Sequence, residues 1–242
     1  MTSKKFLWKA SLHLLVFLIP TQLAFHFWPD FAFVFGLRID YLAPTIYLTD
    51  ILAFLIIVPN LKPILNWLIS NKKAVLIIIL YSGLNIYFSD IWMISLLKWL
   101  KLLELYLLGL SVYLNRDFVS TQSLYKTIYI SAVLFGLISI VQIILNRTTG
   151  FLWVFGERSF SAATPGIALA SFFGTSLLRG YSTFPHPNAF AGFIGVTLLM
   201  LVNQISKNKL YFVLTAFLLI PFVLTFSLMN KLSHSLLLFI LL

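Results

Sequence analysis

One short run of the sequence concentrates side chains that could hold an anion. It reads RGYSTFPHPN over residues 179–188, contains Arg179, His186 and Asn188, and stands directly before an apolar stretch. The prolines on both sides of His186 keep the backbone extended until Asn188, which is a favourable N-cap for the next helix. The N–H groups and dipole of a helix start attract anions, and arginine adds a bidentate phosphate donor. These residues predict a diphosphate site, with a simple anchor at lipid-headgroup level as the alternative.

A second group of charges interrupts an otherwise apolar run. Lys98, Lys101 and Glu104 are spaced i, i+3 and i+6. Lys101 and Glu104 therefore share a helix face and can pair, while Lys98 extends toward the outer surface. Because an ionised carboxylate inside a membrane is costly, such groups are functional candidates by default. The polar pair Lys101 and Glu104 is a candidate site, and a structural salt bridge between helices is the alternative.

A third candidate lies in the stretch GLRIDYLAPTIYLTD over residues 36–50. It places Arg38, Asp40 and Asp50 on the same predicted side of the membrane as Arg179. Arg38 could be a second contact for the anion. Since close opposite charges usually pair, a contact with Asp40 that only fixes the loop is the favoured interpretation.

Other kinds of catalytic or metal site have little support. The chain has no cysteine, which excludes disulfides, thiolate metal sites and a thiol nucleophile. Its four histidines are His13, His26, His186 and His234. Their spacing matches no zinc-binding motif. The sequence shows no P-loop, no nucleophile elbow and no Ser-His-Asp order. We therefore expect no metal and no other cofactor.

The composition explains which solvent surrounds these residues. Of 242 residues, 60% are hydrophobic and 10% are charged, whereas soluble domains carry about 25% charged residues. A helix crosses a bilayer with roughly 20 apolar residues. The expected fold is an all-α, polytopic membrane helix bundle with seven or eight transmembrane helices. The expected spans are 7–28, 43–59, 74–89, 91–114, 125–145, 188–204 and 209–228, with an eighth apolar run over 232–242.

The positive charges predict how this bundle is oriented. With a cytoplasmic N-terminus, ten basic residues fall inside and five outside, which the positive-inside rule favours. The inside residues are Lys4, Lys5, Lys9, Lys62, Lys72, Lys73, Arg116, Lys126, Lys207 and Lys209, and the outside residues are Arg38, Arg147, Arg158, Arg179 and Lys231. The net charge of +10 then indicates anionic membrane lipids as partners and no nucleic acid.

The longest stretch between spans is 146–187, which we expect to form an extracytoplasmic loop on the outer side of the cytoplasmic membrane. Within it, residues 167–178 read IALASFFGTSLL, which is apolar but too short to cross and indicates a re-entrant or interfacial segment. Loops of this length in compact proteins are usually functional. We expect 1–242 to form a single transmembrane domain.

The run RGYSTFPHPNAFAGFI resembles the signature of the O-antigen ligase and O-antigen polymerase superfamily, Arg-x-x-Gly-Thr-Phe-x-x-Pro-Asn followed by small residues. Gly156-Glu157-Arg158, residues 163–168 and residues 38–44 are also similar to O-antigen-ligase-like proteins. The resemblance covers about residues 30–225. Ser182 stands where the pattern usually has glycine, and residues 228–231 depart from it.

The resemblance implies a membrane glycosyltransferase that needs no metal. Such proteins transfer a glycan from a polyprenyl diphosphate to an acceptor at the outer face of the cytoplasmic membrane, in lipopolysaccharide or other envelope polysaccharide synthesis. Arg179 would then contact the diphosphate, with His186 and Asn188 shaping its pocket.

The family's catalytic histidine lies in later segments, and His234 comes too early to match it. This leads us to expect a truncated chain with no catalytic residue of its own. The alternatives are a polytopic transporter or flippase for a lipid-linked or anionic substrate, and a catalytically empty remnant.

Overall fold

A computed structural model describes residues 3–172, 175–205 and 209–225, and these are mostly α-helical. Within these ranges, eight α-helices follow one another. They are α1 (Ser3–Leu18), α2 (Leu48–Ile57), α3 (Leu61–Ser70), α4 (Lys72–Tyr87), α5 (Trp92–Leu114), α6 (Thr121–Leu145), α7 (Pro187–Ile205) and α8 (Lys209–Thr225). The predicted spans over 74–89, 91–114, 125–145, 188–204 and 209–228 correspond to α4 to α8. Residues 232–242 and His234 lie outside the described residues.

The expectation of an all-α fold omits three short antiparallel β-pairs. The strands are β1 (Ala24–His26), β2 (Phe33–Val34), β3 (Leu37–Arg38), β4 (Thr45–Tyr47), β5 (Leu169–Phe172) and β6 (Thr175–Leu178). β1 pairs with β4, β2 with β3, and β5 with β6. The predicted re-entrant segment over 167–178 therefore holds a β-hairpin, with Leu169 opposite Leu178. An apolar run this short satisfies its backbone by pairing two strands as readily as by helix formation.

The predicted span over 7–28 is wrong at its C-terminal end, because α1 ends at Leu18. Pro20 has no N–H with which to continue the helix. The backbone N–H and the hydroxyl of Thr21 both donate to the Leu18 carbonyl, at 2.9 and 2.8 Å. The chain then continues as strand β1 and not as helix.

The predicted span over 43–59 is wrong at both ends. Residues 45–47 form β4, and the helix begins only at Leu48. α2 leads through one 3-10 turn, Val58–Asn60, directly into α3. Pro59 removes one helical N–H, and the tighter turn accommodates it without ending the helical path.

Two helical segments of the described chain are long and apolar enough to cross a membrane. These are Leu48–Ser70, with 23 residues, and Thr121–Leu145, with 25 residues. α1 and α4 have 16 residues and α8 has 17, fewer than the roughly 20 of a typical span. α5 has 23 residues but contains three charged side chains. The lengths alone thus do not show the seven or eight transmembrane helices of the sequence prediction.

The chain, expected to be one domain, divides into two compact units. The first unit contains the segment up to Leu15 and Ala24–Ser120, and the second contains Val16–Leu23 and the chain from Thr121 onward.

The first unit is held together around a buried polar node where α2 meets α3. Asn60 donates to the Ile56 carbonyl at 2.9 Å and to the Ser111 hydroxyl at 3.0 Å. Ser111 in turn donates to Ile56 at 3.0 Å and accepts from the Trp8 indole at 3.3 Å. These side-chain donors satisfy the Ile56 carbonyl where α2 passes into the 3-10 turn, inside an apolar core.

The second unit has a continuous apolar core formed by α6, α7 and α8. Its most buried side chains come from all three helices and are Tyr129, Ala132, Phe135, Phe190, Ile194, Leu198, Leu201, Tyr211 and Leu218. This core fixes the start of α7 against α6, which is where the loop between these helices must dock.

The loop after α6 contains one glycine that cannot be replaced without moving backbone. Gly156 has φ 82°, and a Cβ there would lie 2.3 Å from the carbonyl carbon of Gln22 and 2.4 Å from the nitrogen of Leu23. We expect Gly156→Ala to lower the free energy of unfolding by about 3 kcal/mol or more, since it combines left-handed strain with overpacking.

Gly150 provides the matched control for this prediction. It has φ 81°, but no atom lies within 4 Å of the position that a Cβ would occupy. Gly150→Ala should therefore lower the free energy of unfolding only by the conformational strain, about 1–2 kcal/mol. Thermal unfolding in detergent micelles measures both variants. Equal losses would show that the approach of Gln22 and Leu23 contributes nothing.

Candidate functional site

Arg179 is buried and bonded within the protein. Its side chain lies directly after β6 and is only 7% exposed. Nε donates to the Thr225 carbonyl at 2.8 Å, and Nη2 donates to the same carbonyl and to Asn188 Oδ1, the latter at 2.6 Å. Arg179 therefore joins the end of β6 to the start of α7 and to the end of α8.

The positive charge of Arg179 has neutral partners. Its acceptors are a carbonyl and an amide, and within the described ranges no carboxylate lies at ion-pair distance from it. Its Nη1 group makes no hydrogen bond to any described residue. Burial lowers the pKa of the guanidinium, yet arginine remains protonated in proteins. A buried cation without a counter-charge favours an anion nearby.

His186, and not Asn188, caps the start of α7. The helix begins at Pro187, two residues earlier than an N-cap at Asn188 predicts. His186 Nδ1 accepts the backbone N–H of Asn188 at 3.2 Å, and the His186 carbonyl accepts from Ala189 at 3.1 Å. Proline suits the first helical position because its missing N–H is not needed there. The amide oxygen of Asn188 is thereby left for Arg179.

The capping bond determines what His186 can offer a ligand. Since Nδ1 accepts, the neutral ring carries its proton on Nε2. The His186 side chain is exposed, and its ring lies 6.4 Å from that of Tyr181. Arg179, His186 and Asn188 are thus brought together at the start of α7, with His186 as the solvent-facing donor.

A buried carboxylate that is not among the predicted site residues supports this loop. Glu157 accepts five hydrogen bonds, from Gln142 Nε2 at 2.8 Å, Thr149 N at 2.7 Å, Thr149 Oγ1 at 2.6 Å, Gly150 N at 3.0 Å and Leu152 N at 3.3 Å. Burial alone would raise the pKa of Glu157, but the bonds from Thr149, Gln142 and Leu152 outweigh it and lower the pKa. Glu157 is therefore held as an anion by neutral donors.

Gln142 transmits this anchoring to the loop that carries Arg179. Its Nε2 also donates to the Ser182 carbonyl at 2.8 Å, and its Oε1 accepts the Ser182 N–H at 2.7 Å. Ser182 has φ 54°, an unusual conformation for serine that the paired amide bonds hold in place. A glutamine within an otherwise apolar predicted helix was the sequence signal that could have indicated this network, because a buried polar side chain requires hydrogen-bond partners.

The rest of the loop is pinned with little free space. The Tyr181 hydroxyl accepts from Ala168 N at 2.7 Å, and Thr183 Oγ1 donates to the Pro20 carbonyl at 2.5 Å. A Cβ on Gly180 would lie 1.9 Å from Ser139 Oγ. The loop thus lies directly on α6 at Gly180, and the position of Arg179 is set by packing on both sides of it.

Arg38 lies in the first unit and has an aromatic partner. Its guanidinium is 5.2 Å from the centre of the Trp28 ring. The ion pairs seen in the first unit join Lys101 to Asp50 and to Glu104, and the pairing of Arg38 with Asp40 stays a prediction. Arg38 is exposed on β3. Its predicted role as an anion contact therefore belongs to the surface of the first unit.

Lys101 lies between two carboxylates in the first unit. Its Nζ is 3.0 Å from Glu104 Oε2, the partner that the helical spacing predicts, and 2.5 Å from Asp50 Oδ2. Asp50 also accepts the Tyr47 N–H at 2.9 Å. The ammonium group thus joins α5 to the start of α2. A cavity of about 210 Å³ borders this cluster, lined by Asp40, Tyr41, Leu42, Ala43, Pro44, Thr45, Tyr47, Ile94, Leu97, Lys98 and Lys101.

Neither unit supplies a metal site from the residues that the structure describes. Within 3–172, 175–205 and 209–225, no group of three or more histidine or acidic side chains could hold a metal ion.

Comparison of the chain with protein-family models, with curated proteins and with solved structures finds no match. The interpretation of the site therefore depends on its geometry and chemistry.

Proposed function

We propose that this chain is a multi-pass protein of the cytoplasmic membrane that holds the diphosphate of a polyprenyl-linked glycan. In this proposal its N-terminus is cytoplasmic, seven or eight helices cross the membrane, and the loop over 146–187 faces outward. The proposed activity is that of an O-antigen ligase or polymerase type glycosyltransferase, and the described residues are assigned to holding its donor.

The distribution of apolar surface supports a membrane environment. α4 has no buried residue, and its consecutive side chains Ile77, Ile78, Ile79 and Leu80 are 50–67% exposed. Apolar helix surface that no other part of the protein covers favours a lipid environment. The two long apolar segments, Leu48–Ser70 and Thr121–Leu145, agree with this environment.

The buried, carboxylate-free guanidinium of Arg179 is the observation that carries the proposed donor site. It lies beside the start of α7, where backbone N–H groups and the helix dipole also favour negative charge. A diphosphate at this position meets one permanent cation and the exposed Nε2–H of His186. Nη2 of Arg179 also orients the Asn188 side chain. Arg179 therefore contributes both its charge and the placement of Asn188 to the proposed site.

This arrangement suits the leaving group of glycosyl transfer. When the acceptor hydroxyl attacks the sugar, its oxygen bonds to the sugar carbon and its proton passes to solvent. The bond from that carbon to the diphosphate oxygen breaks, and the electron pair leaves with the diphosphate. Donors placed where this charge develops lower the barrier. The proposal assigns leaving-group stabilisation to Arg179 and His186 and assigns no catalytic base to this chain.

Binding of a polyprenyl diphosphate to variants of His186 tests the proposal. In detergent micelles, His186→Ala should weaken binding about tenfold, because one hydrogen bond to a charged oxygen is lost. Inorganic pyrophosphate should compete with the lipid, since the proposed contacts are to the diphosphate.

Asparagine at the same position separates ligand binding from helix capping. His186→Asn retains an N-cap acceptor for α7 but removes the Nε2 donor. The proposal expects both variants to bind weakly. Weak binding by His186→Ala together with normal binding by His186→Asn would limit His186 to capping and refute the donor contact.

A transporter or flippase for a lipid-linked or anionic substrate is the second candidate, and one observation favours it. Two carboxylates share the ammonium group of Lys101 at the start of α2 and within α5. In a membrane such a cluster carries one excess negative charge, which a coupling proton or cation could neutralise. The donor-holding proposal is preferred because it accounts for the loop that carries Arg179.

A further inference from the structure

The loop between α1 and α2 carries a small hairpin with an apolar tip. β2 and β3 pair with Val34 opposite Leu37, which leaves only Phe35 and Gly36 in the turn. Both have positive φ, 49° and 77°, as the two-residue turns of tight hairpins require. Asparagine or glycine is the usual residue at the first of these positions, whereas this chain places phenylalanine there.

The turn leaves the Phe35 ring completely exposed and the neighbouring apolar side chains partly exposed. Phe35 is 101% exposed and Leu37 68% exposed, while Val34 and Phe33 are 40% and 36% exposed. The first unit therefore leaves the Phe35 ring uncovered. A strained turn that holds a large apolar ring in the open indicates that another apolar surface covers this ring when the protein functions.

The base of the hairpin has the side chains of a lipid-headgroup layer. The Trp28 ring lies 6.3 Å from that of Phe33, 5.2 Å from the Arg38 guanidinium and 5.7 Å from the His26 ring, with which it stacks. Tryptophan is enriched at membrane interfaces, and exposed arginine attracts lipid phosphates. The apolar tip and the amphipathic base are separated along the hairpin, as insertion across an interface requires.

We propose that the β2–β3 hairpin inserts its tip, Val34 to Leu37, into the outer leaflet of the membrane, with Trp28 and Arg38 at headgroup level. The proposal rests on the membrane topology of the proposed function, in which α1 and α2 meet the outer surface at Leu18 and Leu48. A segment tethered at both ends to one surface stays within reach of that surface. At the interface, water still satisfies the outward N–H and C=O groups of the two strands.

The absence of cysteine from the sequence makes the depth of single positions measurable. The full chain with Phe35→Cys, or separately Leu37→Cys, is labelled with bimane and reconstituted into vesicles of phosphatidylcholine and phosphatidylglycerol. Lipids brominated in their acyl chains quench labels in the bilayer, and iodide quenches labels in water. We expect brominated lipid to quench both labels several-fold more than iodide does.

Two further positions serve as references, one for a label in water and one for a label in lipid. Asp30→Cys, exposed outside the hairpin, should be quenched by iodide, and Val141→Cys, 42% exposed on α6, by brominated lipid. If labels at 35 and 37 behave like that at 30 while 141 lies in lipid, the hairpin does not insert, and the proposed topology stands. If the label at 141 is also in water, the membrane proposal itself fails.

Discussion

Membranes containing the Arg179→Ala variant are expected to bind polyprenyl diphosphate about a hundredfold more weakly than wild-type membranes. At an effective dielectric constant of about 20, a charge pair about 6 Å apart is worth about 3 kcal/mol, which is roughly this factor. The variant also loses the donor that orients Asn188. Insertion into the membrane should be unchanged, because Arg179 lies in the loop between α6 and α7.

Arg179→Ala also affects stability, which must be separated from binding. It leaves the Asn188 amide oxygen and the Thr225 carbonyl without this donor, at a cost of about 1–3 kcal/mol. Arg179→Lys keeps the charge but cannot reproduce the forked bonds of a guanidinium. The lysine variant should therefore bind better than the alanine variant while being similarly destabilised.

Arg147→Ala is the control for a general effect of charge. Arg147 is exposed in the same loop region, and its removal lowers the net charge by the same amount. Binding should change less than about twofold, because exposed charges are screened. Unchanged binding by a folded Arg179→Ala variant would refute the diphosphate role, and equal losses in both variants would reduce it to nonspecific attraction.

The helices that polar or proline-containing segments bound on both sides could be predicted closely. α5, α6 and α7 each lie between polar or proline-containing segments, and their bounds differ from the prediction by at most four residues. The prediction failed where an apolar sequence continues past a proline. At Pro20 and Pro59 the missing N–H decides the structure, and composition does not reveal whether the chain then bends, pairs as a strand or continues as helix.

The candidate site could be predicted only in part. The position of Arg179 before a helix start followed from its spacing to the prolines. Its bonds to Thr225, 46 residues away, and the link from Glu157 through Gln142 to Ser182 depend on how α6 and α8 pack. No local pattern encodes such contacts. His186 was assigned to the pocket, but its capping role required the observed backbone at Pro187.

Glu157 provides the prediction with the largest expected effect on stability. Glu157→Ala should lower the free energy of unfolding by about 3–5 kcal/mol, because it removes an acceptor from several buried donors at once. Gln142 would lose the partner that fixes its amide and hence the Ser182 backbone. Asp117→Asn, which alters an exposed acid, should change stability by less than about 0.5 kcal/mol. A similar small effect at Glu157 would mean that the network contributes nothing.

The pH dependence of unfolding gives a second test that a simple packing defect would not reproduce. Because the hydrogen bonds lower the pKa of folded Glu157, the unfolded chain takes up the proton first as the pH falls. The stabilisation is therefore complete above the ordinary glutamate pKa of about 4.3 and is lost as the pH falls through the lower folded value. Glu157→Gln should remove this component of the acid transition and lie between wild type and Glu157→Ala in stability at neutral pH. If the glutamine variant and wild type lose stability in parallel over this acidic range, Glu157 is not held as an anion, and its anchoring of the loop through Gln142 would have to be assigned to neutral hydrogen bonds alone.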